Sequence, residues 1–152
     1  MYHFISVIFI SLLLSGCSGK QQYNDISHES NVRNLIDSSY ISLSKLKLQG
    51  ITSDENYEKK VDLYVLDKIY RVSHKRPEDV SGDILAKGSK ITITKVLECS
   101  NCFLFSPISV LVDIEGYQLE SVKPVSLSYQ LINVNERNHS ITLSKEFFRR
   151  VY

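Results

Sequence analysis

The chain has 152 residues, of which 43% are hydrophobic, and its 18 lysines and arginines nearly balance its 17 aspartates and glutamates. This size and composition predict a single folded domain. The formal net charge of +1 argues against a nucleic-acid partner, because such proteins normally carry a basic stripe. The nearest basic cluster, His74-Lys75-Arg76, is short and predicts a solvated loop.

The chain begins with an apolar run from Phe4 to Leu14. At about eleven residues the run is too short to span a membrane, which takes about twenty. It matches the hydrophobic region of a secretion signal followed by small residues at the cleavage point. One departure is that His3 is the only basic side chain before the run. Residues 1–16 are therefore predicted to be a signal peptide.

The four residues Leu14-Ser15-Gly16-Cys17 resemble a bacterial lipobox. The resemblance implies a diacylglycerol on the Cys17 sulfur, cleavage before Cys17, and a further acyl chain, such as palmitate, on the new amine. Three acyl chains would hold the protein permanently, since each buried methylene contributes about 0.8 kcal/mol. Ser18 follows the cysteine, which implies the outer membrane with the body in the periplasm. The alternative is an ordinary signal peptide with an incidental cysteine.

The next two segments predict a tether and an amphipathic segment. Residues 17–29 are polar and aperiodic, which predicts a flexible, lipidated tether. Residues 30–50 place apolar side chains mostly three or four apart, which favours one face of a helix. These side chains are Val32, Leu35, Ile36, Tyr40, Leu43 and Leu46. Leu48 breaks the spacing, and Ile41-Ser42-Leu43 fits a strand equally well.

Residues 61–152 alternate strand-like and helix-like patterns and predict an α+β domain. A strand pattern begins at Val61, and Pro77 fits the first turn of a helix that ends near Gly88. Strand patterns follow at 90–98, 108–116, 125–131 and 140–148, with a possible short helix at 117–123 and a basic-aromatic ending, RRVY. An exposed edge strand of such a sheet could accept another chain by strand addition.

Cys99 and Cys102 form a CxxC motif between two predicted strands. A thioredoxin-type pair needs its first cysteine at a helix N-terminus. A zinc site needs about four ligands, and His28, His74 and His139 are scattered. The prediction is a structural disulfide between Cys99 and Cys102. Redox chemistry, metal binding and free thiols are the alternatives.

The sequence contains no motif that is typical of catalysis. It has no GxSxG, no glycine-rich phosphate loop and no HExxH. Strand tyrosines such as Tyr64, Tyr70 and Tyr129 are predicted to pack rather than to form a ligand platform. We therefore expect a protein that is not an enzyme, with no cofactor, no metal and no small-molecule substrate.

Several pieces in chain order resemble the DotD/TraH-like lipoproteins of type IVB secretion and conjugation systems. They are LSGC, SSYISLSKLKLQGIT, DVSGDILAKGSKITITKVL, PISVLVDI and SITLSKEFFRRVY. The resemblance implies a fold similar to the N0 domain of secretins, a βαββαββ unit, with packing positions at Pro77, Leu85, Ala86 and Ile91. Three features depart from the family pattern: His74-Lys75-Arg76 in place of an aromatic and a glycine, the CxxC insert, and the shortened second helix.

The resemblance implies a non-catalytic structural lipoprotein that helps assemble the outer-membrane core complex of a secretion or conjugation apparatus. Its partners would be the core-complex proteins, and the lipid on Cys17 would attach it to the membrane. One alternative is a pilotin-like helper of a type IV pilus or type II secretin. Others are a periplasm-facing binding or inhibitor lipoprotein and a thiol-disulfide enzyme that uses Cys99 and Cys102.

Overall fold

The structure, a computed structural model, describes residues 21–52, 60–70, 78–102, 107–117, 124–135 and 140–152. Of these residues 56% are in strands and 6% in helical turns, and none lies in a helix of seven or more residues. The strands are β1 (Tyr23–Asp25), β2 (Ser39–Ser42), β3 (Leu46–Ile51), β4 (Leu63–Lys68), β5 (Asp79–Leu85), β6 (Lys90–Cys99), β7 (Ile108–Ile114), β8 (Val125–Leu127), β9 (Ile132–Asn135), β10 (Ser140–Leu143) and β11 (Phe148–Val151). Two 3-10 turns cover Arg33–Leu35 and Tyr129–Leu131.

Nine of the described strands form one sheet in the order β11-β2-β6-β7-β8-β4-β3-β5, with β1 also paired to β6. All pairings are antiparallel except that of β4 with β8. The strands β9 and β10 form a separate two-stranded sheet.

Two ladders near opposite ends of the strand order of the large sheet are continuous with each other. The ladder between β3 and β5 continues into the ladder between β2 and β6, because Ser42 and the turn before β6 exchange backbone hydrogen bonds. Ser42 N donates to Ser89 O at 2.9 Å, and Gly88 N donates to Ser42 O at 2.9 Å. Gly88 has a φ of 91°, which suits glycine at this bend. Together with this continued ladder, the pairings from β3 through β4, β8, β7 and β6 to β2 form a circuit.

The core lies inside this circuit, where alternate residues of each strand point inward. Leu48, Leu66, Ile93 and Val112 are at most 2% exposed. In β6 the buried positions step from Ile93 to Val96, because the register shifts between residues 93 and 95. This bulge keeps both side chains in the core.

The predicted α+β fold and its two principal helices are wrong. Residues 30–50 contain a 3-10 turn followed by β2 and β3, and the predicted helix before Gly88 is β5. Helical spacing placed Ile84 and Leu85 on one face, but Ile84 is 48% exposed and Leu85 is 2% exposed. Serines weaken a helix and β-branched residues favour strands in these segments, and cross-strand pairing outweighs the apparent helical period. The βαββαββ unit similar to an N0 domain is therefore absent from the described chain.

The segment expected to be a tether takes part in the sheet from residue 23 onward. The strand β1 pairs with the end of β6, and Ile26 N donates to Val96 O at 3.0 Å. The Ile26 side chain is 8% exposed. Likewise β3 pairs with both β4 and β5, so the segment 30–50 shares one sheet with the chain beyond residue 61.

Some predictions fall outside the described residues. They concern the signal peptide 1–16, the lipidation residue Cys17, the cluster 74–76, Pro77 and the short helix, of which residues 118–123 are not described. Among the described residues, no helix has the length and apolar character needed to cross a membrane.

Candidate functional site

The strand β11 lies at one end of the nine-stranded sheet as described and pairs on one side with β2. Leu43 N donates to Phe147 O at 2.7 Å, which fixes the phase of this antiparallel ladder. Because peptide groups alternate in direction along a strand, the N–H and C=O groups of Arg149 and Val151 point toward β2. The N–H and C=O of Arg150 therefore point away from β2, toward the outer edge of β11.

A tight turn directs the chain from β10 into β11. Ser144 N donates to Leu131 O at 2.9 Å, which ties the start of the turn to the second 3-10 turn. Ser144 O then accepts hydrogen bonds from Phe147 N at 3.1 Å and Phe148 N at 2.9 Å. The buried ring of Phe148 anchors the first residue of β11 in the core.

Arg150 holds the outer strand against the first 3-10 turn. Its Nη2 donates to Ser38 Oγ at 2.7 Å and to Asn34 O at 3.1 Å. Ser38 Oγ also donates to Asn34 O at 2.9 Å. The Arg150 guanidinium carbon lies 5.7 Å from the centre of the Tyr152 ring, within cation–π range. These contacts fix the backbone of β11 although the side chains after Phe148 are exposed.

A groove of about 470 Å³ lies beside β11, and we call it the basic groove. Its lining residues are Tyr40, Leu43, Thr142, Leu143, Lys145, Phe148, Arg149, Arg150 and Tyr152. Three of these described residues have cationic side chains, and none has an acidic side chain. Burial raises the pKa of the Tyr40 phenol, while the nearby Arg150 charge opposes this rise. The groove thus combines an apolar floor with a positive rim.

The structure places Cys99 and Cys102 as a disulfide pair, with a Cα–Cα distance of 5.6 Å. The pair closes the turn after β6, so its first cysteine ends a strand. Ser100 N donates to Gln22 O at 2.9 Å, and Gln22 N donates to Asn101 Oδ1 at 2.8 Å. The turn therefore holds the chain that enters β1 in place. This is a structural role for the disulfide.

Removing this disulfide should have a modest effect. For a closed loop this short, the double replacement Cys99→Ser/Cys102→Ser should lower the free energy of unfolding by about 1–2 kcal/mol. Urea unfolding of the double variant measures the loss, and the reduced parent protein is the matched control. A loss above about 4 kcal/mol, or different midpoints for variant and reduced parent, would contradict this assignment.

Asp83 and Tyr117 join β5 to the turn after β7 through a hydrogen bond from Tyr117 Oη to Asp83 Oδ2. Burial first, and then this bond, raise the pKa of Tyr117 to about 12. The bonds from the Tyr117 hydroxyl and the Ile84 N–H lower the pKa of Asp83. This pair is remote in sequence from β11 and links two strands that are not neighbours in the strand order.

Tyr117 should titrate later than an ordinary tyrosine. Its contribution to stability is complete below its ordinary pKa of 10.0 and is lost as pH rises through about 12. The Asp83 contribution is present above the ordinary value of 3.8 and is lost as pH falls through the lowered pKa. Ultraviolet titration should show a phenol that titrates near pH 12, which Tyr117→Phe removes and Asp83→Asn shifts to lower pH. An unchanged titration curve in Tyr117→Phe would show that this phenol belongs to another tyrosine.

Comparison of the chain with protein families, curated proteins and solved structures found no match. Within the described parts, no group of three or more histidine, cysteine or acidic side chains is arranged to hold a metal ion. The sequence indicated the basic groove only through the basic-aromatic ending, RRVY. It did not show that Lys145 and Leu43 would join that ending, because the pairing of β11 with β2 brings them together.

Proposed function

We propose that this chain is a lipid-anchored protein that faces the periplasm and acts by binding another envelope protein. The observation that carries the proposal is the outer edge of β11, which is held by Arg150 and bordered by the basic groove. A fixed strand edge with aromatic and arginine side chains has the composition that protein interfaces favour.

The position of β1 supports action close to the membrane. Five residues separate Cys17 from Tyr23, where β1 begins. Even a fully extended chain from Cys17 to Tyr23 spans at most about 20 Å. A lipid on Cys17 would therefore keep the folded body near the membrane surface, so the partner must present its binding segment there.

The partner class within this proposal follows from the resemblance to DotD/TraH-like lipoproteins. It is the outer-membrane core complex of a secretion or conjugation apparatus. The order of sequence pieces supports this class, whereas the fold no longer does, because the chain is a β-sheet protein. The second candidate is a binding or inhibitor lipoprotein that acts on a wall enzyme, which the β-rich body and its stapled turn favour.

The anchoring part of the proposal has a direct test. The Cys17→Ser variant should lose incorporation of labelled palmitate and leave the membrane fraction, because it lacks the sulfur that takes the diacylglycerol. Ser18→Ala is the matched control and should stay in the membrane fraction. Palmitate labelling of Cys17→Ser at the level of the parent would contradict the anchor.

The binding part is tested by isolating the tagged full chain from its native envelope in mild detergent. We expect one defined protein at a fixed stoichiometry. Ring-forming outer-membrane proteins would support the secretion apparatus, and a wall enzyme would support the inhibitor candidate. Recovery of the chain alone, with anchoring intact, would contradict both.

A further inference from the structure

We propose that the outer edge of β11 and the basic groove bind an acidic, extended segment of the partner protein as an added β-strand. This inference rests on the proposed function and names the surface and the chemistry of the partner. It commits to a peptide chain, because the edge of β11 offers backbone hydrogen-bonding groups in addition to charge.

The backbone argument starts from the register of β11 on β2. Since the bond between Leu43 N and Phe147 O sets the phase, the N–H and C=O of Arg150 point away from β2. A strand laid beside β11 would satisfy these groups and continue the sheet. The two bonds from Arg150 Nη2 hold the strand in place beforehand, which reduces the ordering cost of binding.

The charge argument selects an acidic segment. Lys145, Arg149 and Arg150 line the basic groove, and none of the other described lining residues has an acidic side chain. The ion pairs between Lys90 and Glu115 and between Lys95 and Asp25 lie elsewhere. Glutamates on the added strand would therefore meet cations that the described fold does not neutralise, and this complementarity speeds and orients association.

The apolar floor selects an anchor residue. Leu43, Leu143 and Phe148 line the same groove that carries the cations. Every second side chain of an added strand would point toward this floor, since side chains alternate along a strand. The best segment therefore alternates acidic residues with valine or phenylalanine.

The test uses fluorescein-labelled peptides and the full chain purified in mild detergent. The probe alternates glutamate with valine around one phenylalanine. One control replaces each glutamate by lysine, and a second replaces the central valines by proline, which cannot continue a strand. Fluorescence anisotropy should show saturable binding of the acidic peptide and about tenfold weaker binding of both controls.

Two pairs of variants separate charge from backbone. Lys145→Glu/Arg149→Glu should weaken binding about tenfold or more, whereas Lys60→Glu, at an exposed position shortly before β4, should leave it unchanged. Arg150→Pro removes the outward N–H, and Arg150→Ala removes only the side chain. The proline variant should bind about threefold to tenfold more weakly than the alanine variant. Circular dichroism and the thermal midpoint identify any variant that fails to fold, and Lys145→Gln then replaces a misfolded charge reversal, while the proline-containing control peptide still tests the backbone.

Several outcomes would overturn this inference. One is equal binding of the acidic and basic peptides. Another is unchanged peptide binding in Lys145→Glu/Arg149→Glu, and a third is equal binding by the Arg150→Pro and Arg150→Ala variants. Binding of the basic groove only to vesicles of anionic lipid, or only to a second copy of the chain, would overturn it too. If native isolation yields a stable partner while the acidic peptide fails, the proposed function stands and only this inference falls.

Discussion

Replacing Leu85 by alanine should lower the free energy of unfolding by about 2–5 kcal/mol, because it empties a buried position in the core. Leu85 is 2% exposed at the end of β5, opposite Leu46 of β3, which is fully buried. Alanine would leave a cavity that this rigid two-stranded contact cannot fill. Urea unfolding monitored by circular dichroism measures the loss.

The neighbouring residue supplies the matched control. Ile84 is 48% exposed, so Ile84→Ala should change the free energy of unfolding by less than about 1 kcal/mol. A helix would place both side chains on the same apolar face and make both replacements costly. Similar losses for Leu85→Ala and Ile84→Ala would therefore show that β5 is not a strand.

Gly50→Ala should lower the free energy of unfolding by about 1–3 kcal/mol, because β3 has no room for a methyl group at this position. An added Cβ would collide with Ser81 Oγ and would lie 2.8 Å from Val61 Cγ2. The register between β3 and β5 also shifts between Gly50 and Ile51. The two strands therefore cannot make room for the methyl group by moving apart uniformly. Thermal and urea unfolding both measure the effect.

Gly82 and Ser81 provide the controls for this prediction. At Gly82 an added Cβ would meet only Leu48 O, at 3.8 Å, so Gly82→Ala should be neutral or stabilising by up to about 1 kcal/mol. Adding Ser81→Ala to Gly50→Ala should recover part of the loss, since the closest atom is removed. Equal stability of Gly50→Ala and the parent would contradict the packing described around β3.

Strands in which apolar residues mostly alternate with polar ones could be predicted from the sequence. The patterns at 90–98 and 108–116 correspond to β6 and β7, and Gly116 ends the second with a φ of 71°. The bulge at Thr94 could not be predicted, because it depends on the β7 side of the ladder. It explains why the buried residue after Ile93 is Val96.

The two helices that were wrongly predicted contain apolar residues that recur by chance at helical spacing. Leu48 already departed from that spacing, and its alternation with Leu46 was the better guide, since both are buried on β3. In the segment before Gly88, Ile84 and Leu85 are adjacent, so a strand must bury one and expose the other. Only the pairing of β5 with β3 determines which one is buried.

The candidate site depends almost wholly on long-range pairing. The sequence showed Arg149, Arg150 and Tyr152 as a basic-aromatic ending, but it could not place them at a sheet edge. The described register pairs Arg150 with Tyr40, more than a hundred residues earlier. Strand pairing across such a separation produces no pattern in the local sequence. The groove could therefore be recognised only in the folded structure.

The most direct test of binding through β11 is site-specific photo-crosslinking in the native envelope. A photoreactive phenylalanine analogue replaces Tyr152, which is fully exposed beside the basic groove, and in a matched control replaces Tyr129, which is 67% exposed and outside the groove lining. We expect one adduct of defined mass from position 152, little from position 129, and loss of the adduct in Lys145→Glu/Arg149→Glu. Adducts from position 129 alone, or none from position 152 in a strain that makes the whole apparatus, would contradict association through β11.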